Sequence, residues 1–127
     1  MNPLTLEWVN KAEGDFRMAN REIRSRNAPV YDGVCFHSQQ CAEKYLKALL
    51  QEQKQYLPKT HHLADLLTLV LQFDPTCQFL LSDLEILEDY AVDFRYPGIS
   101  ATKDEAKSAF KAAKIVRAFI RERLMLG

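Results

Sequence analysis

The sequence predicts an all-α protein: an antiparallel up-and-down bundle of four to five helices, forming one domain over residues 1–127. Three observations predict it. Apolar residues recur at three- and four-residue steps along almost the whole chain. Proline-containing breaks divide that pattern into pieces of helical length. Strand-like alternation is absent over any useful length. The connections read as short, which sets neighbouring helices antiparallel.

The first helix is predicted to start at Asn2-Pro3, because proline is tolerated in a first turn. Leu4, Trp8, Ala12, Phe16, Ala19 and Ile23 form its apolar stripe, and Asn27-Ala28-Pro29 breaks it. The second helix is expected from Tyr31 or Asp32 to about Gln55. Its apolar set includes Val34, Cys35, Cys41, Tyr45, Leu46 and Leu49, too broad for a helix at the edge of a bundle. It therefore reads as central, and its circumference looks hard to cover within one small bundle. Thr60 is the predicted cap of a third helix carrying Leu63, Leu66, Leu67 and Val70. Asp74-Pro75 is a stop and a new start, followed by Leu80, Leu84, Leu87, Ala91 and Phe94 on a fourth helix. Pro97 and Gly98 close that helix, because the residue before a proline is pushed out of the α region. Thr102-Lys103-Asp104-Glu105 has the form of a capping box and opens a fifth helix through Ala106, Ala109, Phe110, Ala113, Val116, Ile120 and Leu124.

Composition excludes several classes of function. Lysine plus arginine number 17 and aspartate plus glutamate 17, so any nucleic-acid binding needs a local patch rather than bulk charge. No run approaches the ~20 apolar residues of a membrane span, and the N-terminus lacks a basic stretch followed by an apolar one. A soluble cytoplasmic protein with no membrane partner is the expectation. Cys35, Cys41 and Cys77 form no CxxC pair and read as small buried hydrophobes. His37, His61 and His62 belong to no HExxH or ExxH motif, so no metal site is expected. The four dispersed glycines make no phosphate loop and no GxSxG is present, so no cofactor is expected either.

Two polar features remain. His37, Gln40, Lys44, Lys47 and Gln51 make a regular stripe along the second helix, where Glu43 is placed to pair with Lys47. The stripe reads either as a solvated face or as a groove whose lysines meet phosphate and whose Gln40 meets a base or sugar. Arg95-Tyr96 stands just ahead of Pro97-Gly98. It reads either as a phosphate-and-ring pair beside a loop or as a structural arginine at a helix end or dimer interface.

Taken together, the chain resembles the HEPN family, the helical domain named for higher eukaryotes and prokaryotes nucleotide-binding. The resemblance rests on Trp8 and Asp15, the run from Cys35 through Gln39-Gln40-Cys41-Ala42-Glu43-Lys44 to Leu50, Pro58-Lys59-Thr60-His61-His62-Leu63, and Arg95-Tyr96-Pro97. It covers essentially the whole chain. It implies a dimerising helical bundle, often paired with a minimal nucleotidyltransferase in a toxin–antitoxin module. Many members are metal-independent ribonucleases, whose motif is an arginine followed within about four to six residues by a histidine. Here Tyr96 through Thr102 contain no histidine. Cutting RNA without metal needs a proton acceptor or donor, and an arginine cannot move a proton.

The reading is therefore a homodimeric nucleotide- or RNA-binding subunit that works with a nucleotidyltransferase and lacks the usual ribonuclease motif. Arg95, Tyr96, Gln40, Lys44 and Lys47 are its ligand-binding residues. One alternative is a ribonuclease toxin whose histidine is displaced to His37 or His61. Another is a dimerisation bundle with no ligand.

Overall fold

The computed structural model describes residues 1–90 and 97–127. Its helices are α1 (Pro3–Ile23), α2 (Tyr31–Glu52), α3 (Leu63–Leu71), α4 (Leu81–Glu88) and α5 (Lys103–Arg123), with a 3₁₀ segment Pro75–Leu80 leading into α4. Among the described residues there is no strand, and no helix is long and apolar enough to cross a membrane.

Local chemistry sets several of the helix ends. The Asn2 side chain accepts from Leu4 N at 2.8 Å, and Pro3 follows in the first turn. Thr102 and Glu105 form the predicted reciprocal capping box, at 3.1 and 2.9 Å. α2 stops at Glu52, short of Gln55, through a Schellman closure. Lys54 N donates to Gln51 O at 3.0 Å and Gln55 N to Leu50 O at 2.9 Å, with Lys54 taking the left-handed φ of 54° usually given to glycine. α5 closes the same way through Met125, at φ 61°.

Three expectations need correction. The α1 stripe holds at Ala12 and Ala19, which are buried, and at Trp8, Phe16 and Ile23, which pack partly buried against the core, but it fails at its first residue. Leu4 is 52% exposed, whereas Thr5 and Val9 are buried with Ala12, Asp15 and Ala19. Thr60 does not cap α3. Its hydroxyl accepts from His62 N, and the first free amide of the helix, Leu63 N, donates to Glu88 at the end of α4 at 2.6 Å. Asp74-Pro75 starts a 3₁₀ turn rather than an α-helix, although Asp74 does accept from Thr76 N at 3.1 Å as a cap should. Ala91 and Phe94, assigned to the fourth helix, lie outside the described residues.

Pairings between helices fix the topology. Glu52 meets Asn2, Tyr45 meets Glu13 and His37 meets Asp15, so α1 and α2 run antiparallel. Glu13 also meets Arg117, and Phe16 stacks on Phe110, so α1 opposes α5 as well. Phe79 stacks on Phe119 while Asp74 pairs with Arg123, which sets the 3₁₀–α4 arm against α5. These four segments make the up-and-down bundle. The short α3 is the exception to the antiparallel expectation. The connection 53–62 runs back along α2, so α3 starts beside Glu43 and delivers the chain to Asp74 near the end of α5.

α2 is the central helix, as its broad apolar set predicts. Val34, Cys35, Cys41, Ala42, Tyr45, Leu46, Ala48 and Leu50 are fully buried by α1, α3, α4 and α5 of the same chain. Its circumference is thus covered without a second copy. All three cysteines are buried, and burial, with nearby carboxylates adding to it, pushes the Cys35 and Cys77 thiols up to about 12. They act as core hydrophobes.

Candidate functional site

The polar stripe of α2 is not a solvated face. It is drawn into two carboxylate-centred networks. The first lies against α1. Asp15 is 7% exposed, and its two oxygens accept from His37 Nδ1 at 2.7 Å and Lys44 Nζ at 2.5 Å. His37 and Lys44 stand two turns apart on α2, so one carboxylate from α1 reaches both. A buried carboxylate needs such partners to remain charged.

The second network lies at the corner between α2 and α3. Glu43 is 3% exposed and takes Lys47 Nζ at 3.1 Å, the predicted i,i+4 pair. Lys47 is itself buried, 5.4 Å from the centre of the Trp8 ring. The other Glu43 oxygen meets His61 Nδ1 at 3.2 Å. Gln39 donates to Glu43 and to the His61 carbonyl, and Gln40 donates to Gln39 at 2.8 Å. His61 is the exposed member, with 80% of its side chain open to solvent.

Beside it, His62 Nδ1 meets Glu88 Oε1 at 3.1 Å, while Glu88 Oε2 accepts from Leu63 N. The corner therefore carries two adjacent imidazoles, each pinned through Nδ1 by a carboxylate from a different helix. A carboxylate only accepts, so Nδ1 carries the hydrogen in each pair and Nε2 faces outward. Such a nitrogen accepts a proton or hydrogen bond when neutral and donates when protonated. Such a pair of exposed rings has the chemistry to meet a phosphate or a hydroxyl.

The predicted site residues divide accordingly. Gln40 belongs to the α2–α3 corner. Lys44 is held by Asp15 on the α1 side, with His37. Lys47 is enclosed by Glu43 and Trp8. Arg95 and Tyr96 lie outside the described residues. Sequence reasoning missed Asp15 as the hub of the first network and Glu88 as the anchor of His62. Neither has a local signal, because each partner is brought from another helix. Among the described residues, no group of three or more His, Cys, Asp or Glu is placed to hold a metal ion.

Comparison with known proteins agrees with the bundle. The HEPN domain family matches residues 5–123. The crystal structure of TT1696 from Thermus thermophilus superposes with a TM-score of 0.82 at 28% identity, over 93% of this chain and 96% of that one. The crystal structure of ST0689, an archaeal HEPN homologue, gives a TM-score of 0.74 at 25% identity, over 94% and 96%. No curated protein matches the chain.

Proposed function

Because the chain belongs to the HEPN family, we propose that it is a nucleotide- or RNA-binding subunit taking phosphate at the α2–α3 corner. The observation that carries this reading is the pair of exposed, carboxylate-pinned imidazoles of His61 and His62. Pinning fixes the ring orientation before a ligand arrives, which lowers the ordering cost of binding. Glu88 ties the end of α4 to the same corner. In this reading Arg95 makes a bidentate phosphate contact and Tyr96 stacks on a base. Gln40 adds a polar contact, and Lys44 and Lys47 balance the carboxylates around it. The working partner is a minimal nucleotidyltransferase, in a pair of toxin–antitoxin type.

The test is fluorescence anisotropy with labelled ATP and with a short labelled RNA. Arg95→Ala is expected to weaken binding at least about tenfold, roughly 1.4 kcal/mol, without moving the melting temperature. A parent protein that binds neither probe would sink the reading. So would an Arg95→Ala variant that binds like the parent but melts several degrees lower. The second reading, a metal-independent ribonuclease, is favoured by the Glu43–His61 pair, which has the form of an oriented general base. Under the first reading, a mixed RNA pool stays intact in chelator. Cleavage that vanishes in His61→Ala would install the second instead.

The dimer is proposed on the family's habit and on the exposed apolar side chains of the 3₁₀–α4 arm, Phe79 at 65% and Ile86 at 37%. Light scattering is expected to give twice the 14.7 kDa of one chain. A single-chain mass at micromolar concentration, or a dimer unaffected by Phe79→Asp, counts against that surface.

A further inference from the structure

The C-terminal half of α1 carries charge that neither network uses. Arg17, Arg21 and Arg24 recur at i, i+4 and i+7, which places them on one face. All three are exposed, and with Asn20 and Ser25 they line an open cleft of about 540 Å³. Among the described residues none of them forms an ion pair. The acids that could neutralise them are engaged elsewhere. Glu13, one turn before Arg17, is taken by Arg117 at 2.7 and 2.8 Å, and Glu22 accepts from Val30 N at 3.0 Å. Favourable interaction with the helix dipole accounts for an arginine in the last turn, Arg21, and for Arg24 at the cap. It does not account for Arg17, farther back. A chain with no net charge thus concentrates unpaired guanidinium groups in one short row.

We infer that this row is a second surface, one that holds the phosphate backbone of an RNA strand. Seven residues of helix put Arg17 and Arg24 about 10 Å apart along the axis, a row long enough to contact consecutive phosphates of one strand. Guanidinium groups match phosphate oxygens bidentately, and the Asn20 amide adds hydrogen-bond capacity of the kind that backbone contacts use. An acidic protein partner fits less well. Protein interfaces centre on an apolar core, and no apolar side chain lines this cleft. The row carries no base-reading group, so it adds affinity and orientation without sequence preference. The inference rests on the RNA half of the function proposed above, extending it from a single bound nucleotide to a strand.

The test compares Arg17→Ala/Arg21→Ala/Arg24→Ala with Arg95→Ala, using anisotropy of a labelled single-stranded RNA between about 50 and 200 mM salt. Thermal melting serves as the folding control, since all three arginines are exposed. The triple variant is expected to bind more weakly, with a log–log salt slope shallower by about 2, the value for three lost single-strand phosphate contacts. A triple variant with the affinity and slope of the parent overturns the inference. So does a parent that binds polyglutamate as tightly as RNA, which would make the row a protein-docking surface, or a parent that binds no RNA. If Arg95→Ala changes nothing while the triple variant loses binding, the row stands and the corner reading falls. The reverse pattern removes the row and keeps the corner.

Discussion

Replacing Glu13 with alanine is expected to lower the unfolding free energy by about 1–3 kcal/mol, because it removes the shared acceptor of a partly buried charged network. Glu13 ties together three helices. From α1 it accepts two hydrogen bonds from Arg117 on α5 and one from the Tyr45 hydroxyl on α2, and Arg121 approaches to 3.6 Å. Tyr45 is fully buried, so truncating Glu13 leaves its hydroxyl, among the described residues, with the Arg121 contact alone. Urea unfolding measures the effect, and a loss under about 1 kcal/mol would show that water replaces the carboxylate, as at an exposed pair.

The pH dependence follows with a definite sign. Burial works to raise the Glu13 carboxyl, but the hydrogen bonds from Arg117 and Tyr45 and the charges of Arg117 and Arg121 outweigh it. The group is held below the usual 4.5. A carboxyl with a depressed folded-state pKa stabilises fully above its unfolded value and loses that contribution as pH falls through the folded one. The stability gap between the parent and Glu13→Gln should therefore be widest near neutrality and shrink below pH 4.5. A gap that stays constant with pH would place the effect in shape rather than charge.

What was legible in the sequence is what local spacing encodes. The Thr102–Glu105 capping box and the Glu43–Lys47 pair join residues three and four apart, and both form as expected. The central place of α2 followed from the breadth of its apolar set. The errors arose where distant partners decide. Counting leucines chose Leu4 for the α1 stripe, but packing against α2 selected Thr5 and Val9. Thr60 had the right residue type for a cap, yet Glu88 arrives from another helix and takes the Leu63 amide. The polar stripe read as either a solvated face or a ligand groove, because Asp15, far away in sequence, gives no sign that it binds both His37 and Lys44. The adjacent histidines were visible, but not the carboxylates that aim them.

Glu43 gives the sharpest test of how the corner is built. It is 3% exposed and faces Lys47, which is 8% exposed. Glu43→Ala strands that ammonium in an enclosed site, and the expected cost is about 3–5 kcal/mol. Much of this is the penalty of an unpaired charge rather than the worth of the pair. Removing both charges together, as Glu43→Leu/Lys47→Met, should then be less destabilising than Glu43→Ala alone, because an apolar pair of similar volume often equals a buried ion pair. The double variant also frees the His61 ring, which loses Glu43, its one side-chain hydrogen-bond partner among the described residues. It is therefore expected to fold, yet to bind the RNA probe more weakly than the parent, whereas a Cys77→Ala control in the core changes stability and leaves binding alone. If the double variant is as unstable as Glu43→Ala, the hydrogen bonds of Glu43 to Gln39 and His61 carry the energy and the charge of Lys47 does not. If it folds and binds RNA like the parent, orientation of His61 by a carboxylate is irrelevant to binding, and the corner loses the feature that singles it out.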